Sequence, residues 1–192
     1  MMEATVRAFV AIKLPEAIVD HAGALQDALK DRGLKLDKLK WVKPRNLHLT
    51  LNFLGEIPES DVSAVGSAMG NAAGNHTPLD LAIQGMGVFP GIKRPRVLWI
   101  GFGGEVERLR QLQARLEDEF ELLGYDREKR GFKAHLTLAR IKGAIAPDRM
   151  LGAIEAVGHF SPRSFIAREL ILYKSDLRPT GAVYTPLEKI EL

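Results

Sequence analysis

Residues Arg45–Glu56 read RNLHLTLNFLGE, and residues Phe132–Lys142 read FKAHLTLARIK. Both contain the tetrapeptide HLTL, in which a histidine and a threonine stand two residues apart inside an apolar run. Side chains alternate along a strand, so His48 and Thr50 share one face while Leu47, Leu49, Leu51 and Phe53 take the other. The second copy divides the same way, with His135 and Thr137 on one side and Ala134, Leu136 and Leu138 on the other. The apolar side is core; the polar side is left for chemistry. At about 3.3 Å of rise per residue, each histidine lies about 6.6 Å from its threonine, near enough for both to touch one small tetrahedral group.

The surrounding sequence repeats an order of strand, helix, histidine-threonine strand, helix, strand. VRAFVAIKL is β-branched and alternating, and Pro15 opens a helix whose Ile18, Ala22, Leu25 and Leu29 share a face until Asp31–Gly33 stops it. LKWVKP is a short strand, and NLHLTLNFLG is the next, closed by Gly55. A helix beginning near Glu59 or Ser60 turns Val62, Val65, Met69 and Ala72 inward, and the loop GNHTP comes after it. LDLAIQGMGVF reads as a strand with a glycine-marked irregularity, FPGIKRP as a connector, and RVLWIGF as a strand. Leu109, Leu112, Leu116, Phe120 and Leu123 form one stripe of a helix from Val106 to Leu123, with Gly124 as its stop. After the second HLTL strand come a helix opened by Pro147, one strand SFIARELILYKS, and a last strand AVYTPLEKIEL.

The HLTL copies lie 87 residues apart and the strands near Val6 and Val97 lie 91 apart, the signature of an approximate internal duplication. The expected fold class is therefore α+β: a bilobal, pseudo-two-fold fold in which two mainly antiparallel sheets line a central cleft and helices pack outside. Residues 1–192 form a single bilobal domain, with lobes from approximate repeats 5–96 and 97–192 and strand exchange between them allowed.

With 192 residues, 46% hydrophobic and 27% charged, the composition is that of an ordinary globular chain. No stretch has the length of a spanning helix, and the beginning, MMEATVRAFVAIKLPE, lacks the basic-then-apolar layout of a signal peptide. The absence of cysteine rules out disulfides, thiolate zinc sites and cysteine nucleophiles. Together these point to a cytoplasmic protein with no membrane partner. A net charge of +3 mildly favours an anionic partner.

Two imidazoles converging on one pocket suit in-line displacement at phosphorus, which needs a base for the nucleophile and an acid for the departing oxygen. Histidine serves in either role because its ordinary pKa, about 6.5, leaves both protonation states accessible near neutrality. Threonine hydroxyls can donate to the non-bridging oxygens as charge builds. The scheme needs no metal and no cofactor. Two histidines so far apart, with no Cys, Asp or Glu on the same strand faces, leave a zinc ion short of ligands. His21, His76 and His159 are read as structural or surface residues.

RAFVAIKLP, WVKPRNLHLTLNFLGE, VFPGIKRPRVLWIG, HLTLARIK and VYTPLEKIEL together resemble the two-histidine phosphoesterases, and among them the RNA 2′,3′-cyclic phosphodiesterases, also called 2′-5′ RNA ligases. The likeness spans nearly the whole chain; Ala134 stands where proline is expected before the second motif histidine. The resemblance implies hydrolysis of RNA 2′,3′-cyclic phosphate ends to 2′-phosphomonoesters in a cleft between lobes. It assigns His48 as proton donor to the departing 3′ oxygen and His135 as proton acceptor from water, with Thr50 and Thr137 holding the phosphate. It also implies a reverse joining to a 5′-hydroxyl without a nucleotide cofactor. The partner is then RNA with a 2′,3′-cyclic phosphate terminus.

Other residues are read around that core. Arg140 is a candidate phosphate contact, but strict alternation puts it on the face opposite His135. Phe9 and Trp41 are candidates to stack a terminal base, with core packing as the competing reading. Lys93, Arg94 and Arg96 form one local basic cluster, read either as steering an RNA backbone or as a soluble turn. Two alternatives stay open: a non-catalytic RNA-binding module of the same fold, and the same chemistry on a small cyclic nucleotide such as ADP-ribose cyclic phosphate. A cleft open on one side favours a monomer.

Overall fold

β1 (Thr5–Lys13) is the strand around which the first sheet forms, because it pairs antiparallel on both edges, with β3 (His48–Pro58) and with β8 (Glu169–Arg178). β9 (Gly181–Glu191) completes a four-stranded sheet in the order β3-β1-β8-β9. The second sheet runs β2-β6-β5-β4-β7, from β2 (Leu39–Trp41), β6 (His135–Ile141), β5 (Val97–Gly104), β4 (Leu79–Phe89) and β7 (Arg163–Ala167). Each sheet thus draws strands from both halves of the chain. This computed structural model describes residues 4–35, 37–74, 76–179 and 181–192; Glu3 of the N-terminal stretch and Asn75 of the GNHTP loop lie outside them.

The helices follow the apolar stripes. α1 (Glu16–Leu29) buries Ile18, Ala22, Leu25 and Leu29, and a tight turn over Lys30–Leu34 ends it, with Gly33 at φ 92°, a conformation that suits glycine. α2 (Val62–Ala73) buries Val65, Ala68, Met69 and Ala72 and packs on α3 (Val106–Leu122) and β9. α4 (Pro147–Val157) lies against α1. Alternate strand residues Val6, Ala8, Val10 and Ile12 join Leu136, Leu98, Ile100 and the helix stripes in one buried core. The opposite face of each sheet, carrying Phe9 and Ala11 in one and His135 and Thr137 in the other, is left to the site. Cutting a fully buried leucine such as Leu49 or Leu136 to alanine costs about 2–5 kcal/mol. Among the described residues no helix is long and apolar enough to cross a membrane.

Two expectations are corrected. Gly55 does not close the first histidine strand; β3 continues to Pro58, and Gly55, at φ 76°, sits in a bulge facing Ala8. SFIARELILYKS is not one strand: it breaks at Arg168 into β7, which pairs with β4, and β8, which pairs with β1 in the other sheet. A continuous β-rich run hides this break, since the crossover from sheet to sheet leaves no turn residue behind.

Candidate active site

Two bulges decide which side chains reach the cleft. Opposite Val10, β3 inserts Leu51 as an extra residue, so Thr50 pairs with Ala11 and Phe53 with Phe9. Opposite Leu98, β6 inserts Leu138 in the same way, so Thr137 pairs with Trp99 and Arg140 with Val97. A bulge resets the two-residue alternation and re-aims the side chains beyond it. The outward row of β3 therefore reads His48, Thr50, Phe53, and that of β6 reads His135, Thr137, Arg140. Alternation alone puts Phe53 and Arg140 on the opposite faces; the structure moves both to the histidine side. Leu138 and Ala139, the two residues at the bulge, are both buried, and Arg140 is exposed.

The strands meet between the sheets: β3, at the edge of the four-stranded sheet, neighbours β6 without pairing to it. Arg140 stands near enough to His48 for its charge to act on the imidazole. The Leu138 carbonyl at the β6 bulge accepts from the Val42 backbone N–H at 2.9 Å and from Gln26 Nε2 at 3.0 Å. Gln26 is 2% exposed and also donates to the Val42 carbonyl at 2.9 Å, tying α1 to the bulge.

The two histidines are held identically. His48 Nδ1 lies 2.7 Å from the Asn46 carbonyl oxygen, and His135 Nδ1 lies 2.7 Å from that of Lys133. A carbonyl only accepts, so each Nδ1 carries its proton and donates, leaving Nε2 as the nitrogen that can take up or give up a proton. Burial pushes the His48 pKa down to about 4, the Asn46 bond raises it, and Arg140 lowers it further. In these surroundings His48 is a neutral imidazole at neutral pH. His48, Thr50, His135 and Thr137 are all half-buried, open to a small ligand but shielded from bulk water.

Aromatic rings floor the site. Phe9 packs against His48 at 4.8 Å between ring centroids, against Tyr173 at 5.4 Å and against Tyr184 at 4.9 Å. Across the cleft, the Phe89 ring stacks on Trp99 at 4.9 Å and meets His135 edge-on at 5.2 Å, with Lys133 Nζ 5.5 Å from its centroid. Phe9 is only 2% exposed, so it supports His48 from below and offers no face for a base. Trp41 pairs with Ala139, on the core side of β6, and lies under Lys30 Nζ at 5.3 Å. Lys93, Arg94 and Arg96 are exposed on the β4–β5 connection, where the Arg96 N–H bonds the Phe89 carbonyl at 2.6 Å. That places the basic cluster on the rim beside His135.

The remaining histidines stand apart from this pair: His21 packs edge-on against Phe160 from α1, His76 follows α2, and His159 is exposed beyond α4. Among the described residues no group of three or more His, Cys, Asp or Glu side chains is gathered as a metal site. The sequence reading missed Tyr173, Tyr184, Phe89 and Trp99, each an ordinary strand aromatic whose place depends on sheet order. Chemically, the outward rows of β3 and β6 carry two imidazoles, two hydroxyls and one arginine, groups that can exchange protons and bind an anion.

The chain is similar to known proteins over nearly its whole length. The family described as LigT like Phosphoesterase matches residues 12–99 and 103–184. An RNA 2′,3′-cyclic phosphodiesterase of Methanothermobacter thermautotrophicus is 34% identical, covering 97% of this chain and 99% of that one. One from Aquifex aeolicus is 33% identical over 97% of each. Among solved structures, a Thermus thermophilus protein superposes with a TM-score of 0.73 at 30% identity, covering 97% of both chains. E. coli LigT complexed with 3′-AMP superposes with a TM-score of 0.72 at 26% identity, covering 98% of this chain and 99% of that one.

Proposed function

Because the chain belongs to the LigT-like phosphoesterase family, we propose that it hydrolyses RNA 2′,3′-cyclic phosphate ends to 2′-phosphomonoesters without a metal. The observation that carries this reading is the matched pair of Nδ1 tethers, which leave two Nε2 atoms free on facing strands. His135 Nε2 takes a proton from the attacking water, whose oxygen bonds to phosphorus. The bond from phosphorus to the 3′ oxygen breaks, and His48 Nε2 supplies that oxygen with a proton. Thr50, Thr137 and Arg140 bind the non-bridging oxygens and steady the added charge.

The donor role requires His48 to arrive protonated, although burial and Arg140 oppose this before substrate binds. The phosphodiester carries the missing negative charge. Seated between Arg140 and His48, it offsets the arginine and favours the imidazolium, so proton uptake accompanies substrate binding. Reversal of the same steps joins a cyclic phosphate to a 5′-hydroxyl as a 2′-5′ linkage. We further infer a cytoplasmic monomer, supported by a cysteine-free sequence and a core closed within one chain.

The test is an oligonucleotide ending in a 2′,3′-cyclic phosphate, incubated in chelator with the wild type, His48→Ala and His135→Ala. Turnover in chelator is expected, with each variant reduced by about 10²- to 10⁴-fold. Activity appearing only on metal addition, or variants as active as the wild type, would overturn the reading.

A further inference from the structure

Past Thr50 the outward row of the four-stranded sheet continues with Phe53 and Glu56 on β3, paired to Phe9 and Arg7 on β1. Phe53 is 61% exposed, with its ring centroid 5.7 Å from that of Phe9. It lies three residues from Thr50, about 10 Å along the strand, where the base of a nucleotide anchored by its phosphate can reach it. Beyond it opens a cavity of about 310 Å³ lined by Arg7, Glu56, Lys174, Ser175 and Asp176 among others.

The charge balance of that cavity is informative. Lys174 Nζ already sits 3.9 Å from Asp176, whereas Arg7 makes no ion pair among the described residues. With Glu56 opposite, the cavity is close to neutral overall and holds little attraction for a free anion. A phosphate covalently tied to a nucleotide already seated at His48 is different, because the tether raises its local concentration. Arg7 stands about 13 Å along β1 from Ala11, the partner of Thr50, and its long side chain covers part of that span.

We propose that Phe53 stacks the terminal base and Arg7 pairs with the phosphate on its 5′ side, so that the cleft selects the end of an RNA chain over a free cyclic mononucleotide. This rests on the function proposed above and names its substrate class. Stacking tolerates any base, so the subsite reads chain continuation and not sequence. The requirement for a second phosphate comes from a lone arginine on the face that the reacting end already occupies.

The experiment compares kcat/KM for a nucleoside 2′,3′-cyclic phosphate with that for a trinucleotide ending in the same nucleotide, in the wild type, Arg7→Gln and Phe53→Ala, with thermal melting of each variant as a folding control. The wild type is expected to prefer the trinucleotide, and Arg7→Gln to cut the trinucleotide-to-mononucleotide ratio about tenfold, with a shallower salt dependence for the trinucleotide. Phe53→Ala is expected to weaken both substrates. A wild type that turns over both alike, or a ratio unmoved by Arg7→Gln, refutes the subsite and leaves the proposed hydrolysis standing. No turnover of either substrate by the wild type overturns the hydrolysis itself and the subsite with it.

Discussion

His48 and Arg140 belong to different sheets, yet the arginine's charge acts directly on the imidazole: burial lowers the His48 pKa first, and Arg140 adds to it against the Asn46 bond, leaving about 4. An anion bound between them should reverse part of that. We expect inorganic phosphate, or a 2′-nucleotide, to raise the His48 midpoint seen by histidine-resolved NMR titration. Arg140→Gln should raise it in phosphate-free buffer too, while lowering kcat/KM by about 10²- to 10³-fold through loss of an anion-stabilising donor. A His48 midpoint indifferent to both phosphate and Arg140→Gln would separate the two residues and remove the basis for coupled proton uptake.

The same shift sets a pH window for stability. His48 titrates near 6.5 when unfolded and at about 4 when folded, so between those values the unfolded chain binds more protons. Its stabilising contribution is complete above pH 6.5 and is lost as pH falls toward 4, amounting to about 3 kcal/mol at most. His48→Asn should therefore flatten the acid limb of a stability-versus-pH curve from urea denaturation. A variant curve parallel to that of the wild type between pH 6.5 and 4 would contradict this.

Much of this was legible in the sequence because period and punctuation carried it. The stripe of α1, that of α3 as far as Phe120, the strand around each HLTL and the irregularity at Gly85 appear where the pattern put them, whereas Leu123, expected on the α3 stripe, lies past the helix end and is 42% exposed. What the pattern lacked was register. Leu51 and Leu138 look like any core leucine in a strand, and only the partner strand turns them into bulge residues that move Phe53 and Arg140 to the other face. The break at Arg168 is hidden for a similar reason: β7 and β8 each obey strand chemistry, and only the pairing assigns them to separate sheets. Phe9 stands out in the sequence as an aromatic, but its 2% exposure follows from the rings of Tyr173 and Tyr184, which arrive from the far end of the chain.

Gln26 tests whether the β6 bulge is held from behind. Its Nε2 bonds the Leu138 and Val42 carbonyls inside the protein, where no water replaces a lost donor. Gln26→Leu keeps the volume and removes both bonds, so we expect a loss of about 1–3 kcal/mol by chemical denaturation. Loosening the bulge also lets Arg140 wander, so kcat/KM should fall although residue 26 is far from any substrate. If stability drops and kcat/KM does not, the bulge is set by the β5–β6 ladder alone.

Gly87 links backbone crowding to the second histidine. It faces Trp99 across the β4–β5 pair, and a Cβ at this position would come within 2.5 Å of the indole. Trp99 stacks on Phe89, and Phe89 meets His135 edge-on, so a displaced indole is felt two rings away at the proposed base. Gly87→Ala should cost about 1–3 kcal/mol as an overpacked site. It should also lower kcat by up to about 10²-fold, since a misplacement near 1 Å is enough for that. The effect on kcat should exceed that on KM, because Thr50, Thr137 and Arg140 still hold the phosphate while the His135 nitrogen is out of line. Measuring both constants for Gly87→Ala beside a Gly91→Ala control, a glycine whose added Cβ meets nothing within 4 Å, isolates the ring relay from a general effect on the sheet. Equal kinetics for the two variants would break the link from Gly87 to His135.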